Sequence, residues 1–232
     1  MAVAHNGPAL AIAVTTAPRV RPTLHRALRS VREANFPVDV DVHVFAEPGT
    51  FTVAVPLPDD PLIVHQNATT RGCFGNWRHA VECLLATTTA EWLLVVQDDA
   101  IWAPGSAHIL IAEIHKRRDQ RTGFLSPYVT DQDVTAEFTD GWNECHSGWQ
   151  FYGALTFCVE RAAAAELLHH PRFANHTAKK QVDAVVSASM IDLGRPSFVH
   201  VPSLVDHVGT TSTIGNNSAH LRGYRFRQKG SS

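Results

Sequence analysis

The residues most able to do chemistry in this sequence stand in Val95–Pro104, VVQDDAIWAP. Two adjacent carboxylates, Asp98 and Asp99, follow the apolar run Trp92–Val96 and the amide of Gln97. Neighbouring carboxylates at the end of a buried strand are costly unless a positive charge offsets their repulsion. A divalent cation does so, and oxygen ligands suit Mg2+ or Mn2+. Side chains alternate along an extended chain, which puts Gln97 and Asp99 on one side and points Asp98 away. A plainer role is open to the same residues, because an Asp ahead of Pro104 and a helical run is an ordinary helix N-cap.

Either role depends on the elements that hold the pair. Ala9–Thr15 is a continuous apolar run closed by Thr15-Thr16-Ala17-Pro18, the pattern of a buried strand and a turn. Pro22 suits the first turn of a helix, through which Leu24, Leu28 and Val31 recur at helical spacing. Val38–Phe45 alternates with period two, and Pro61–Val64 is a short third strand. Cys73–Leu85 returns to helical spacing through Trp77, Val81 and Leu84; Trp92–Val96 is a fourth strand, and Gly105–Arg117 a helix. Further on, Gly141–Val159 ends in the apolar run Phe151–Val159, Ala162–Leu168 and Val182–Leu193 look helical, and Ser197–Val201 is a short strand. Strands alternating with helices predict an α/β chain with a mostly parallel sheet flanked by helices. Such sheets bind ligands at the carboxyl ends of their strands. Three strand-end loops qualify: Thr15–Arg19, Gln66–Asn76 and Gln97–Asp99.

Four blocks of the sequence, taken in order, resemble the nucleotide-sugar-dependent glycosyltransferases of GT-A fold, of the family-2 type. The first strand with its Thr-Thr-x-Pro-Arg turn resembles the segment that cradles the nucleobase in that family. ATTRGCFGNWRHAVE (Ala68 to Glu82) resembles the Arg/Gly-x-x-x-Asn segment lining the nucleotide pocket. Gln97-Asp98-Asp99 with the following Trp-Ala-Pro-Gly turn resembles the Asp-x-Asp region, and PSLVDHVG (Pro202 to Gly209) the block whose His is a metal ligand. The resemblance spans residues 10 to 209 and implies a single domain with a Rossmann-like mixed sheet. Its nucleotide-binding half would be 1–100 and its sugar and acceptor half 101–214, with 215–232 a basic surface tail.

The resemblance also implies a chemistry. Mn2+ or Mg2+, held by Asp99 and His207, would bridge the diphosphate of a UDP-sugar and neutralise charge on the leaving group. Thr15, Thr16, Pro18, Arg19, Arg71, Gly72, Asn76, Gln97, Asp98 and Gly153 would line the donor site. Gln97 departs from the family pattern, which often has an acid there; an amide is uncharged and only hydrogen-bonds. Inverting members take a base from an acid opening a helix after a Gly-rich aromatic stretch, which here is GWQFYGALTF (Gly148 to Phe157). Asp183 is then the expected base, drawing the proton from the acceptor hydroxyl as it attacks. An acid in a helix's first turn is equally well explained by the helix dipole, and in a retaining enzyme Asp183 would bind sugar hydroxyls instead.

The acceptor is less sharply written. Trp142, Trp149 and Tyr152 are candidate platforms for sugar or base, with core packing the alternative. His115–Arg121 and His220–Lys229 are basic clusters, and Lys180 lies near Asp183. Basic groups interleaved with aromatics, Arg222 and Arg225 among them, suit a phosphate backbone. They are compatible with a phage-type enzyme that glycosylates hydroxymethylated pyrimidines, such as hydroxymethylcytosine, in double-stranded DNA. A target base would then have to leave the stack or be reached in the groove. Protein side chains and cell-surface saccharides are the other acceptor classes, and a non-catalytic nucleotide-sugar-binding module is the alternative to an enzyme.

Composition limits the rest. Of 232 residues 44% are hydrophobic and 18% charged, which excludes a disordered chain, and 20 basic against 22 acidic residues give no global pull on polyanions. No run approaches the roughly 18–20 apolar residues of a membrane span. Ala9–Val14, with no basic residues before it, reads as a strand rather than a signal peptide, so a cytoplasmic enzyme is expected. Cys73, Cys83, Cys145 and Cys158 have no zinc spacing. No Gly-x-Gly-x-x-Gly follows the first strand, which argues against a dinucleotide cofactor.

Overall fold

A computed structural model describes residues 10–37, 40–50, 62–145, 153–178, 181–208 and 222–226. The chain runs β1 (Leu10–Thr16), α1 (Leu24–Glu33), β2 (Val42–Ala46), β3 (Leu62–Gln66), α2 (Gly72–Thr87), β4 (Trp92–Gln97), β5 (Ala100–Trp102) and α3 (Ala107–Lys116). It continues through β6 (Phe124–Ser126), β7 (Gly141–Glu144), β8 (Thr156–Glu160), α4 (Arg161–His169), α5 (Pro171–Ala174), α6 (Val182–Asp192), β9 (Phe198–Val201) and β10 (Val205–His207).

Eight strands form one sheet in the order β3-β2-β1-β4-β8-β6-β9-β7, and β10 pairs with β5 in a separate ribbon. The first four are mutually parallel, with Ile12 facing Val42 and Leu94 on either side. β8 enters antiparallel to β4, and β7 closes the far edge antiparallel to β9. The fold is the expected mixed α/β, mostly parallel, GT-A architecture.

The apolar runs of β1 and β4 are explained by burial on both faces. Ala11, Ala13, Leu93 and Val95 join one core with Phe74, Trp77, Val81 and Leu84 of α2, Leu167 of α4 and Val186 of α6. Leu10, Ile12, Val14, Trp92, Leu94 and Val96 face the other, against Leu24, Leu28 and Val31 of α1 and Leu110 and Ile114 of α3. Each such large side chain removed from water contributes roughly 1.5–3 kcal/mol. These two layers fix the central strands, and so fix where their carboxyl ends open. Among the described residues no helix is long and apolar enough to cross a membrane.

Candidate functional site

β4 ends at Gln97, and the chain turns at Asp98-Asp99 before β5. The period-two alternation expected for Gln97, Asp98 and Asp99 therefore fails, because only the first is in the strand. Asp98 Oδ2 accepts from Thr16 Oγ1 at 2.6 Å, and its Oδ1 accepts from Arg19 Nε and Nη2 at 2.9 and 2.6 Å. Arg19 Nη2 also stands 2.9 Å from Asp99 Oδ2. One guanidinium from the β1 turn thus spans both carboxylates, while Gln97 is directed elsewhere.

His207 reaches the pair through the small ribbon. β5 starts one residue after Asp99, and β10 pairs with it so that His207 lies opposite Ala100 and Asp206 opposite Ile101. Val208 N–H donates to Asp99 O at 3.0 Å and locks the end of the ribbon. His207 Nε2 is thereby 3.1 Å from Asp99 Oδ2, across 108 residues of sequence.

The pair suits a divalent ion. Asp99 Oδ1 is buried without a hydrogen-bond partner, a condition rare for buried polar atoms and one that a cation on this carboxylate would relieve. Two ligands of one ion, each at roughly 2.1 Å and at right angles, lie about 3 Å apart, and Nε2 and Oδ2 already have that separation. Among the described residues no group of three or more His, Cys, Asp or Glu forms a complete cage. An ion here would complete its shell with water or with oxygens from a ligand, as Mg2+ commonly does with waters and phosphates.

Burial works against ionising Asp99, yet the hydrogen bond with His207 and the charge of Arg19 hold its carboxyl below the ordinary value. Burial pushes Asp98 up, against the pull of Arg19, and the neighbouring Asp99 adds to the rise. With side-chain exposures of 3% and 6%, the two carboxylates depend on Arg19 as their counter-ion.

The other donor candidates divide into pocket and scaffold. Thr16, Pro18, Arg19 and Asp98 line a small pocket of about 70 Å3 with Gly49 and Thr50 of the turn after β2. Thr15 Oγ1 is turned to Val96 O at 3.4 Å, tying β1 to β4. Asn76 is buried and its amide is committed: Nδ2 donates to Phe45 O at 3.0 Å and Oδ1 accepts from Asn67 Nδ2 at 2.9 Å. Gly72 opens α2 at φ 73°, a conformation that favours glycine. The Arg71 N–H before it donates to both oxygens of Glu47, at 3.1 and 2.9 Å. Glu47 is a buried carboxylate at the end of β2 that no sequence block pointed to.

Asp183 stands in the first turn of α6, partly buried, and its Oδ1 accepts from Ala184 N–H at 3.0 Å. Burial raises its carboxyl above the ordinary value, against the hydrogen bond from Ala184 N–H; Asp133 adds to the rise. Cys73 is a second residue the sequence did not single out. Burial, then the charges of Asp183 and Asp99, push its thiol up to about 12, so it stays protonated. Gln97 Nε2 lies 3.5 Å from Cys73 Sγ and donates to Ala154 O at 2.9 Å. Gly153, next to Ala154, is buried.

Among the described residues the acceptor candidates do not gather there. Trp142 is on β7, four strands from β4, roughly 19 Å across the sheet at strand spacing. Its ring is edge-on to His200 at 5.1 Å. Trp149, Tyr152 and Lys180 lie outside the described residues. Arg222 pairs with Asp206 at 2.7 Å and Arg225 with Asp140 at 2.8 Å. Within the first basic cluster, Arg117 pairs with Glu113, Arg118 with Glu91 and Arg121 with Glu166. The described part of the C-terminal segment is bonded into the domain, with Gly223 N–H on Asp206 and Tyr224 N–H on Val129 O.

No family model matches the sequence, and no curated protein matches it. Among solved structures, the fold is similar to mannosyltransferase PcManGT from Pyrobaculum calidifontis in complex with GDP-mannose and Mn2+, at TM-score 0.50 and 15% identity. The alignment covers 85% of this chain and 58% of that one, so the chain spans less than two thirds of the protein it resembles.

Proposed function

We propose that this chain is a metal-dependent glycosyltransferase, moving a sugar from a nucleotide-sugar donor to an acceptor hydroxyl. The observation that carries the reading is the meeting of Asp99 and His207 at 3.1 Å, with Asp99 Oδ1 buried and unpartnered, at the carboxyl end of β4. Similarity to a fold known with GDP-mannose and Mn2+ supports it.

Asp99 and His207 would hold the divalent ion. Bound there, it supplies positive charge to the diphosphate as the glycosidic bond breaks. Arg19 brings a second cation to the same place and stays within reach of phosphate oxygens. Thr16 and Asp98, hydrogen-bonded to each other, line the small pocket beside Arg19, which would take the nucleoside. Asp183 serves as the base of an inverting transfer: burial raises its carboxyl, which makes it a stronger proton acceptor for the attacking hydroxyl.

The donor base is left to the assay, because the sequence resemblance points to UDP and the structural neighbour holds GDP-mannose. The named arginines of the basic clusters are each paired with a carboxylate. They add no free cationic surface for a DNA backbone, which leaves hydroxymethylated DNA as one acceptor among several.

The test is release of nucleoside diphosphate from UDP- and GDP-hexoses with Mn2+, alone and with hydroxymethylated DNA, peptide and oligosaccharide acceptors. Turnover is expected with one donor, lost in Asp99→Ala and in excess EDTA, and following an acidic limb above the ordinary Asp range that Asp183→Asn removes. Donor binding without product under any acceptor would favour a binding module. Full activity in Asp99→Ala would end the proposal.

A further inference from the structure

The outer edge of the sheet carries two imidazoles in direct contact. Among the described residues β3 is the outermost strand, and its Ile63 and Val64 are 44% and 43% exposed. A strand with so little of its surface buried opens easily, so its side-chain bonds to β2 matter. His43 of β2 is buried, and its Nδ1 lies 3.0 Å from His65 Nε2, with the two ring planes parallel within 7°. The two are diagonal neighbours, since β3 sets Ile63 against His43 and His65 against Phe45. Phe45 stacks on the His65 ring at 4.4 Å, and the other His65 nitrogen, Nδ1, is 3.8 Å from Cys83 Sγ of α2.

Two ring nitrogens in this contact share one proton. One donates and the other must accept, so at least one ring has to be neutral. A second proton would set N–H against N–H beside a ring that is only 3% exposed. His43 Nε2 is itself buried without a hydrogen-bond partner, so a charge on that ring finds no acceptor there. Burial, then the neighbouring His65, lowers His43 below the ordinary histidine value against the pull of Asp41, and burial lowers His65. The groups facing the pair from α2 are the Cys83 thiol and His79, which is edge-on to Phe45 at 5.6 Å. Burial and Arg71 lower His79 as well, against Glu82.

What the pair holds leads to the pocket beside Arg19. Gln66 follows His65 and ends β3, with its Nε2 donating to Glu47 O at 3.1 Å. The same carbonyl accepts from Thr50 N–H at 3.2 Å and Thr50 Oγ1 at 2.6 Å, and Thr50 lines the pocket.

We propose that His43 and His65 form a proton-sensitive clasp: with one ring neutral it binds β3 to β2, and with both protonated it releases β3 and, through Gln66, the Thr50 turn. The clasp stands on the contact itself; only its effect on donor binding rests on the reading of that pocket as the donor site. The closed pair takes protons less readily than free imidazoles. It is therefore at full strength above the ordinary value of about 6.5 and weakens as pH falls below it.

The test is amide exchange followed by NMR, expressed as protection factors, in the parent and in His65→Gln, which keeps a donor toward His43 and takes up no proton. Between about pH 7.5 and 5 the protection of the β3 amides should fall about tenfold or more in the parent, as expected when the closed state excludes one proton. The Thr50 amide resonance should shift over the same range, β1 and β4 should keep their protection, and His65→Gln should lose both effects. Ring resonances of the parent give a second reading, with the second proton of the pair entering below about pH 6.5. Protection unchanged in the parent, or falling equally in His65→Gln or throughout β1 and β4, overturns the clasp; so do two rings that both titrate at the ordinary value. A clasp that opens while UDP and GDP affinity follows one pH course in parent and variant overturns the link to the pocket. Absence of diphosphate binding at every pH counts against the donor site and leaves the clasp standing.

Discussion

Replacing Arg19 by Met tests the counter-ion role of the β1 turn. The substitution keeps a long apolar stem and removes the charge that meets Asp98 at 2.6 Å and Asp99 at 2.9 Å. Asp98 and Asp99 would then lie side by side, 3% and 6% exposed, with only Thr16 and His207 as partners. Removing one partner from a buried ion pair costs about 3–5 kcal/mol. Protonation of Asp98, already favoured by burial, holds the loss to the lower part of that range. At about 2–4 °C per kcal/mol for a domain of this size, the melting temperature should fall by roughly 6–12 °C. Mn2+ without nucleotide should then stabilise Arg19→Met more than it stabilises the unaltered protein, because it takes over the charge that Arg19 supplied. The assay is a calorimetric melt at pH 7 with and without Mn2+. A variant melting within about 2 °C of the parent, or one gaining nothing extra from Mn2+, would refute the reasoning.

Two further outcomes follow from the packing around the site. A Cβ at Gly223 would run into the carbonyl of Val205 and crowd Ser203, so Gly223→Ala should cost about 1–3 kcal/mol as overpacking and disturb the strand that carries His207; equal denaturant midpoints would count against it. Glu166 bonds Arg195 through both oxygens at 2.8 Å, which with the further charge of Arg121 lowers its carboxyl from 4.5 to about 2. Its stabilising contribution is whole above the unfolded value and fades as pH falls through the folded one. Melting temperature should therefore drop less steeply between pH 5 and 2 in Glu166→Gln (about the span set by the two values), and parallel curves would contradict it.

Where the sequence was legible, the reason is physical. The runs of β1 and β4 and the spacing of α1 and α2 announced themselves because both sides of the sheet are covered. Those elements alone direct the turns at Thr16–Arg19 and Asp98-Asp99 toward one place. The direction of Asp98 was not legible, since alternation holds only while a strand continues and β4 stops at Gln97. β5, β6 and β10 are three residues each, too short to show a period, so the ribbon that brings in His207 was visible only through the resemblance of its sequence block. Sheet order also escaped, because nothing local says that β7 lies four strands from β4, and Trp142 went with it. The basic clusters misled for a related reason: Arg118, Arg121, Arg222 and Arg225 find their carboxylates 27, 45, 16 and 85 positions away.

The most direct test is Mn2+ binding, followed by the loss of the free ion's electron paramagnetic resonance signal, with UDP or GDP present. The account predicts that the protein takes up Mn2+ together with one of these diphosphates, and that Asp99→Asn and His207→Ala each weaken uptake at least about tenfold. Uptake unchanged in both variants, or none with either diphosphate, would contradict it.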